Sequence, residues 1–176
     1  NGGVNVIDGQ GGDDTINAGG GNDIVSGGLG NDTLIGSFGT DNLSGDEGND
    51  TFTYAFGDGT DVVNGGADID TLNITGTAAA ADTLDVVFNG ASLTAFEGGT
   101  VTNVEAVTAD LLAGVDILPY VGTTAAVAVN LGAGSASGFT SVSNIENVVG
   151  GSGNDSLIGT TGINILDGGA NGGNDR

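Results

Sequence analysis

Aspartate recurs along the first part of this sequence at a fixed spacing, each time two residues before an apolar residue. Counted in nines from Gly9, with Tyr54 and Ala55 inserted before the sixth copy, seven copies of one unit carry aspartate at position six. The seven are Asp14, Asp23, Asp32, Asp41, Asp50, Asp61 and Asp70. Because hard divalent cations prefer carboxylate oxygens, the spacing points to metal binding repeated along the chain.

The charge of the chain favours the same chemistry. Its 176 residues include 23 acidic residues and one basic residue, Arg176, which gives a formal net charge of −22. Nucleic-acid and anionic-membrane partners are excluded because both require a basic surface, and no apolar run is long enough for membrane insertion. Cys and His are absent, which excludes disulfides and thiolate metal sites. Divalent cations are the natural counter-charge, and without them we expect the chain to be disordered.

The elements that must position these aspartates follow from the rest of the unit. Glycine predominates at positions one, two and four, where it permits positive φ and close backbone approach. Position eight is apolar in every copy, as Ile16, Val25, Leu34, Leu43, Phe52, Val63 and Leu72. A six-residue turn followed by a three-residue strand predicts a solenoid with two repeats per coil and position eight pointing inward. Threonine at position seven, as in Thr15 and Thr33, should align on one face, which leaves an ice- or surface-binding solenoid as a minor alternative.

The unit resembles the RTX, or hemolysin-type calcium-binding, nonapeptide repeat G-G-x-G-x-D-x-U-x. The resemblance covers residues 1 to 73 and 150 to 176, where the unit GGSGNDSLI begins at Gly150. It implies an all-β fold, a right-handed parallel β-roll or β-solenoid with calcium-filled turns. It also implies that each calcium ion lies between the turn of one repeat and the turn two repeats on, held by position-six carboxylates and turn carbonyls.

Transferred to this chain, the resemblance gives pairs of ligands and about five or more calcium ions. It pairs Asp14 with Asp32, Asp32 with Asp50, Asp50 with Asp70, Asp23 with Asp41, Asp41 with Asp61, and Asp155 with Asp175. The turn glycines whose carbonyls would contribute are Gly12, Gly21, Gly30, Gly39, Gly48, Gly59 and Gly153. Asn5 and Asn164 replace the aspartate and bring no charge. A turn role without metal would explain acid at variable positions, but not acid at position six of every continuous copy.

The spacing of the coils makes the metal part of the folding. Stacked coils lie about 4.8 Å apart, so neighbouring carboxylates repel by roughly 1 kcal/mol in water and about 3 kcal/mol at an effective dielectric of 20. An empty column of aspartates opposes folding. The free energy of calcium binding therefore contributes directly to the free energy of folding.

The glycine turns are lost between residues 74 and 149, so we divide the chain into 1 to 73, 74 to 149 and 150 to 176. In the middle segment VVFNG, from Val86, is matched by VAVNL 41 residues on, and VTNVEAV, from Val101, by VSNIENV at the same offset. One supersecondary unit is thus used twice, and we expect a β-solenoid with wider coils and few calcium sites. For Glu105 and Glu146 we favour exposed acids on strands over ligands.

The same residues shape the expected function. With no His, Cys or Lys, the chain lacks an evident acid, base or nucleophile outside the carboxylates, and we expect no enzyme activity. We expect a calcium-binding structural segment of a larger secreted or cell-surface bacterial protein, of S-layer or adhesin type, that assembles with neighbouring copies as an oligomer or lattice. The family implies type I secretion. The alternative is the non-catalytic RTX region of a secreted enzyme or toxin.

Overall fold

The structure, a computed structural model, describes residues 2 to 170 and consists almost entirely of strands. Its contacts divide the chain into two units, residues 1 to 75 with 98 to 107 (unit 1) and residues 76 to 97 with 108 to 176 (unit 2). Helix among the described residues is limited to one 3-10 turn at Leu131–Ala133. None of these residues forms a helix long and apolar enough to cross a membrane.

Unit 1 contains two parallel sheets built by alternate repeats. The first sheet consists of β1 (Val6–Asp8), β3 (Ile24–Leu29), β5 (Asn42–Glu47), β7 (Val62–Ala67) and β11 (Gly99–Thr102), each paired with the next. The second consists of β2 (Thr15–Asn17), β4 (Thr33–Ile35), β6 (Thr51–Ala55) and β8 (Thr71–Thr75). Consecutive repeats therefore alternate between the sheets, as the prediction of two repeats per coil requires, and the predicted β-roll is confirmed.

The register of the strands reproduces the repeat. Thr15 pairs with Thr33 and Thr33 with Thr51, so equivalent residues stack coil on coil and the threonines align on one face. After the insertion Thr51 pairs with Thr71, and Tyr54 and Ala55 simply lengthen β6. The insertion is absorbed by a longer strand without a change of register.

The core of unit 1 is thin and lies where the sequence predicts it. All seven position-eight side chains are buried, none more than 8% exposed, and they stack in register between the sheets. Tyr54 and Ile74, which extend β6 and β8, are also buried. Burial of these apolar side chains is the main cation-independent contribution to stability.

The predicted strand length of three residues is correct for β2 and β4 but wrong for β3, β5 and β7. These three strands have six residues because parallel pairing continues into the following turn, where Gly28 pairs with Asp46. Position two lies in the left-handed region, with φ of 111° at Gly28 and 76° at Asp46. The parallel strand pairing therefore includes position two, which the repeat pattern assigns to the turn.

Unit 2 continues the parallel stacking and adds two antiparallel hairpins. Its strands are β9 (Val86–Phe88), β10 (Leu93–Phe96), β12 (Ala106–Asp110, which begins in unit 1), β13 (Ile117–Pro119), β14 (Ala128–Asn130), β15 (Ser135–Ala136), β16 (Ser141–Ser143), β17 (Asn147–Val149), β18 (Ser156–Ile158) and β19 (Leu166–Asp167). Parallel pairs join β12 to β16, β17 to β13 and β19, and β14 to β18. The hairpins are β9 with β10 and β14 with β15.

The 41-residue repeat of the middle segment corresponds to one strand order used twice. The hairpin β9–β10 is followed by β11 and β12, and the hairpin β14–β15 is followed by β16 and β17. Asn103 and Asn144, at the same place in the two copies, both have a left-handed backbone, with φ of 51° and 54°. The predicted boundaries at residues 73 and 149 rest on sequence alone and stay a prediction.

Candidate metal centre

The position-six aspartates of unit 1 lie in two columns at the start of the strands. Asp14, Asp32, Asp50 and Asp70 directly precede the strands of the second sheet (column one). Asp23, Asp41 and Asp61 directly precede β3, β5 and β7 (column two). Because parallel strands begin at the same edge, each set stacks along that edge. Apart from Asp14, which is half-buried, all of these side chains are buried.

A ladder of hydrogen bonds joins each aspartate to the aspartate one coil further on. The backbone N–H of Asp14 donates to Oδ1 of Asp32 at 2.8 Å, and the N–H of Asp32 donates to Oδ1 of Asp50 at 2.8 Å. The remaining links are Asp50 to Asp70 at 2.8 Å, Asp23 to Asp41 at 2.7 Å and Asp41 to Asp61 at 2.9 Å. The structure thus brings together all five pairs predicted for unit 1, and their role as calcium ligands stays a prediction.

The second carboxylate oxygen has no hydrogen-bond partner in six of these seven aspartates. It is the Oδ2 atom of Asp14, Asp23, Asp32, Asp41, Asp50 and Asp70, and in each of them it is buried. No basic side chain exists among the described residues, since Arg176 lies beyond them. A buried anionic oxygen without a partner is strongly unfavourable, so a bound cation would stabilise the ionised form of these carboxylates.

Glycine at position one leaves open the space that Oδ2 faces. A Cβ placed on Gly27 would overlap Oδ2 of Asp32 and come within 2.9 Å of the Gly45 carbonyl oxygen. A Cβ placed on Gly45 would overlap Oδ2 of Asp50 and come within 2.5 Å of the Gly65 carbonyl oxygen. A carboxylate oxygen and a carbonyl oxygen from neighbouring coils therefore converge on one space, and both are oxygen types that calcium binds.

The glycines at position four bring further carbonyl oxygens close to the next coil. Gly12, Gly21, Gly30, Gly39, Gly48 and Gly59 have φ values between 110° and 149°. A Cβ placed on Gly30 would lie 2.5 Å from the Gly12 carbonyl oxygen, and one on Gly21 would lie 2.6 Å from the Gly3 carbonyl oxygen. The carbonyls predicted as ligands thus line the turns beside the aspartate columns.

The donor set limits each site to few carboxylates. Among residues 2 to 170, no three or more His, Cys, Asp or Glu side chains lie close enough together to hold a metal ion. A site in these turns must therefore combine one or two carboxylates with backbone carbonyls. This composition suits calcium, which accepts six to eight oxygen ligands in flexible geometry.

Burial and charge both disfavour ionised carboxylates in the columns. Burial raises the pKa of Asp61 and Asp70 to about 6, and repulsion from neighbouring carboxylates adds to the increase. Burial also raises the pKa of Asp41 and Asp50. In all four, the N–H of the preceding coil partly offsets the rise. A bound cation would lower the pKa of these carboxylates again, because an opposite charge favours the ionised form.

The two asparagines at the aspartate position use their amides to satisfy the turn. Nδ2 of Asn5 donates to the Gly3 carbonyl oxygen at 2.7 Å. Oδ1 of Asn164 accepts the Thr160 N–H at 2.7 Å, and Nδ2 donates to the Glu146 carbonyl oxygen at 2.8 Å. The Asn5 N–H also donates to Oδ1 of Asp23 at 2.7 Å, so Asn5 extends column two without adding a charge. The weaker sites predicted for both asparagines stay a prediction.

The second repeat block shows one half of its predicted site. Asp155 is buried and its Oδ1 accepts the Val127 N–H at 2.9 Å. Its predicted partner Asp175 lies outside the described residues. Gly153 differs from the other predicted turn glycines because its φ is not in the left-handed region, although a Cβ there would lie 2.5 Å from the Ala125 carbonyl oxygen.

Sequence reasoning missed the part played by two glutamates. Oε2 of Glu105 accepts the Asp70 N–H, and Oε2 of Glu146 accepts the Asp116 N–H, both at 2.9 Å. The predicted exposure is correct for Glu105, whereas Glu146 is half-buried. The predicted strand position is wrong for both, since each precedes a strand and extends an aspartate ladder. The shared 41-residue offset was the available signal, because it places both glutamates at one structural position.

Comparison with known proteins agrees with these turns. A family model described as the RTX calcium-binding nonapeptide repeat matches four times, at residues 1–34, 18–52, 57–73 and 149–176. A search of curated proteins found no matching relative. The matched segments contain every aspartate of both columns and amount to more than half of the chain. RTX repeats bind calcium, and the donor set described above fits that ion. The chain therefore belongs to the RTX calcium-binding nonapeptide repeat family.

Proposed function

We propose that the chain is a calcium-dependent structural segment of a secreted or cell-surface bacterial protein, of S-layer or adhesin type. The observation that carries the proposal is the set of buried Oδ2 atoms without hydrogen-bond partners in both columns. With a formal charge of −22, calcium must offset both the local and the overall repulsion. The role of calcium is then to permit folding.

The expected affinity links this role to a location outside the cell. Calcium sites of extracellular modules have Kd values of about 10⁻⁴ to 10⁻³ M. Cytosolic calcium would leave such sites empty and the chain unfolded, which suits export as an unfolded chain through a type I secretion channel. Millimolar external calcium would then fill the turns and drive folding.

Far-UV circular dichroism tests the proposal directly. The chain is recorded in EDTA, then in millimolar calcium, and separately in millimolar magnesium as a control for ionic strength. We expect a β spectrum in calcium only, because magnesium demands octahedral geometry and gives up its water reluctantly. An equally β-rich spectrum in EDTA and in calcium would contradict the proposal.

Neighbouring copies of the same surface protein are the proposed partners. Apolar side chains on the turns of unit 1 are exposed, with Phe38 68% and Ile69 65% exposed. Contact with another copy would remove this apolar surface from water. We expect calcium to promote ordered self-association in sedimentation velocity, and a strict monomer at high protein concentration in millimolar calcium would contradict this part.

We further propose that the segment has no catalytic activity of its own. The position-six carboxylates lie in hydrogen-bonded ladders, and the chain has no His, Cys or Lys. The alternative, an RTX region that serves the secretion of an enzyme or toxin, predicts a protease, lipase or pore-forming domain in the flanking sequence. Sequencing the flanking regions distinguishes the two parents.

A further inference from the structure

A turn outside the matched repeats reproduces the geometry of the repeat turns. Leu112 has φ of 62° and its N–H donates to Oδ1 of Asp110 at 3.0 Å. In the first complete repeat, Gln10 has φ of 70° and its N–H donates to Oδ1 of Asp8 at 3.0 Å. The turn that begins at Asp110 therefore starts as the first repeat turn does, although the family model does not match residues 74 to 148. The two turns differ at position four, where Gly12 has φ of 110° and Gly114 does not lie in the left-handed region.

Asp116 stands at position six of this turn and has the environment of a column aspartate. Its side chain is 0% exposed, and its Oδ1 accepts the Asp82 N–H at 2.8 Å. Its own N–H donates to Oε2 of Glu146 at 2.9 Å. Its Oδ2 is buried and has no hydrogen-bond partner. Asp82, Asp116 and Glu146 thus form a third column, entirely within unit 2.

The space beside this column is also kept open by a glycine. A Cβ placed on Gly76 would lie 2.6 Å from Oδ2 of Asp82 and 2.6 Å from the Leu111 carbonyl oxygen. The same pair of oxygens, a carboxylate and the position-one carbonyl of the next coil, converges beside Gly27 in unit 1. The Thr77 N–H donates to Oδ2 of Asp82 at 2.6 Å and the Thr77 hydroxyl donates to Oδ1 at 2.9 Å, which fixes the Asp82 carboxylate at the edge of the space. Asp82 therefore differs from Asp116, whose Oδ2 has no hydrogen-bond partner.

The charge of the third column is uncompensated. Burial raises the pKa of Asp116, and repulsion from Glu146 and Asp82 adds to the rise. No basic side chain exists in the described part of unit 2. An oxygen-binding cation would therefore stabilise the ionised form here, as in columns one and two.

We propose that Asp116 and Asp82 bind a further calcium ion outside the nonapeptide blocks, with Oδ2 of Asp116 as a direct ligand. The Leu111 carbonyl oxygen and the carboxylate of Asp82 face the same space and complete the oxygen set together with water. Leucine replaces glycine at position one of the Asp116 turn, as Ala18 does in the Asp23 turn of column two. The inference rests on the proposed calcium dependence and extends it to the middle segment.

Native mass spectrometry of the full chain in calcium tests the site by counting ions. We expect Asp116→Asn to bind at least one ion fewer than the wild type. Asp85→Asn, which removes an equal charge from an exposed side chain of the same unit, should retain the full count. An unchanged count in Asp116→Asn would overturn the proposal.

A calcium anomalous difference map of wild-type crystals decides the matter if Asp116→Asn fails to fold. A peak at about 2.3–2.6 Å from Oδ2 of Asp116 is the expected result. Peaks in the unit 1 turns with none at Asp116 would refute this inference alone. A wild-type chain that binds no calcium would instead refute the proposed function.

Discussion

Replacing Asp32 by Asn separates the charge of a column from its hydrogen bonds. Asp32 lies between Asp14 and Asp50, so it belongs to two predicted sites. The amide Oδ1 can still accept the Asp14 N–H, so the ladder is retained and only the anionic oxygen is lost. One site contributes about 1.4 kcal/mol when calcium is about tenfold above Kd, as millimolar calcium is for a Kd of about 10⁻⁴ M. Loss of both sites should lower the calcium-dependent part of the unfolding free energy by about 3 kcal/mol.

Without calcium the same substitution should have the opposite sign. Removing one charge from the middle of the column removes two repulsions of about 3 kcal/mol each at an effective dielectric of 20. The assay is urea unfolding followed by circular dichroism at several millimolar calcium concentrations, with a sample in EDTA as the unfolded reference. Glu47→Gln, an exposed side chain on β5, is the matched control. If Asp32→Asn and the wild type gain equal stability from calcium, the reasoning about the columns is wrong.

Three further outcomes follow from the same structure. Burial raises the pKa of Asp61 and Asp70 from 3.8 to about 6, so lowering the pH from about 7 to about 5 should make folding of the calcium-free chain less unfavourable; a β signal in EDTA that falls over this range in far-UV circular dichroism would contradict this. Gly39→Ala, whose Cβ would overlap a carbonyl of the neighbouring coil, should lower the melting temperature more than Gly12→Ala, which has positive φ but open space. Leu34→Ala should cost about 2–5 kcal/mol in urea unfolding, since Leu34 is fully buried.

The coil of unit 1 could be predicted because every part of it repeats. A spacing of nine residues fixes which strands are neighbours, and the pairing of Asp14 with Asp32 follows from two repeats per coil. The insertion of Tyr54 and Ala55 was visible as an interruption. Its outcome, a longer strand with a buried Tyr54, was not predicted, because the pattern does not say whether extra residues extend the strand or the turn.

Other features depend on contacts between coils that the repeat pattern does not contain. Oδ1 of each column aspartate accepts the N–H of the preceding coil, which leaves Oδ2 for a different partner. One repeat considered alone cannot show this difference between the two oxygens. Glu105 takes the place of the next aspartate in column one through a longer side chain and a different turn. The segment around Asp116 is visible as a degenerate remnant of the repeat, since Gly114, Asp116 and Leu118 match positions four, six and eight. Asp116 was not predicted as a ligand because Leu111 and Leu112 replace the glycines at positions one and two.

The most direct test of the central claim is the position of calcium in the two columns of unit 1. Crystals grown in millimolar calcium, measured for anomalous scattering, locate the ions without any substitution. The account predicts peaks about 2.3–2.6 Å from the Oδ2 atoms of Asp32, Asp41 and Asp50, beside the turn glycines. A folded, calcium-grown crystal with no ion beside these Oδ2 atoms would contradict it.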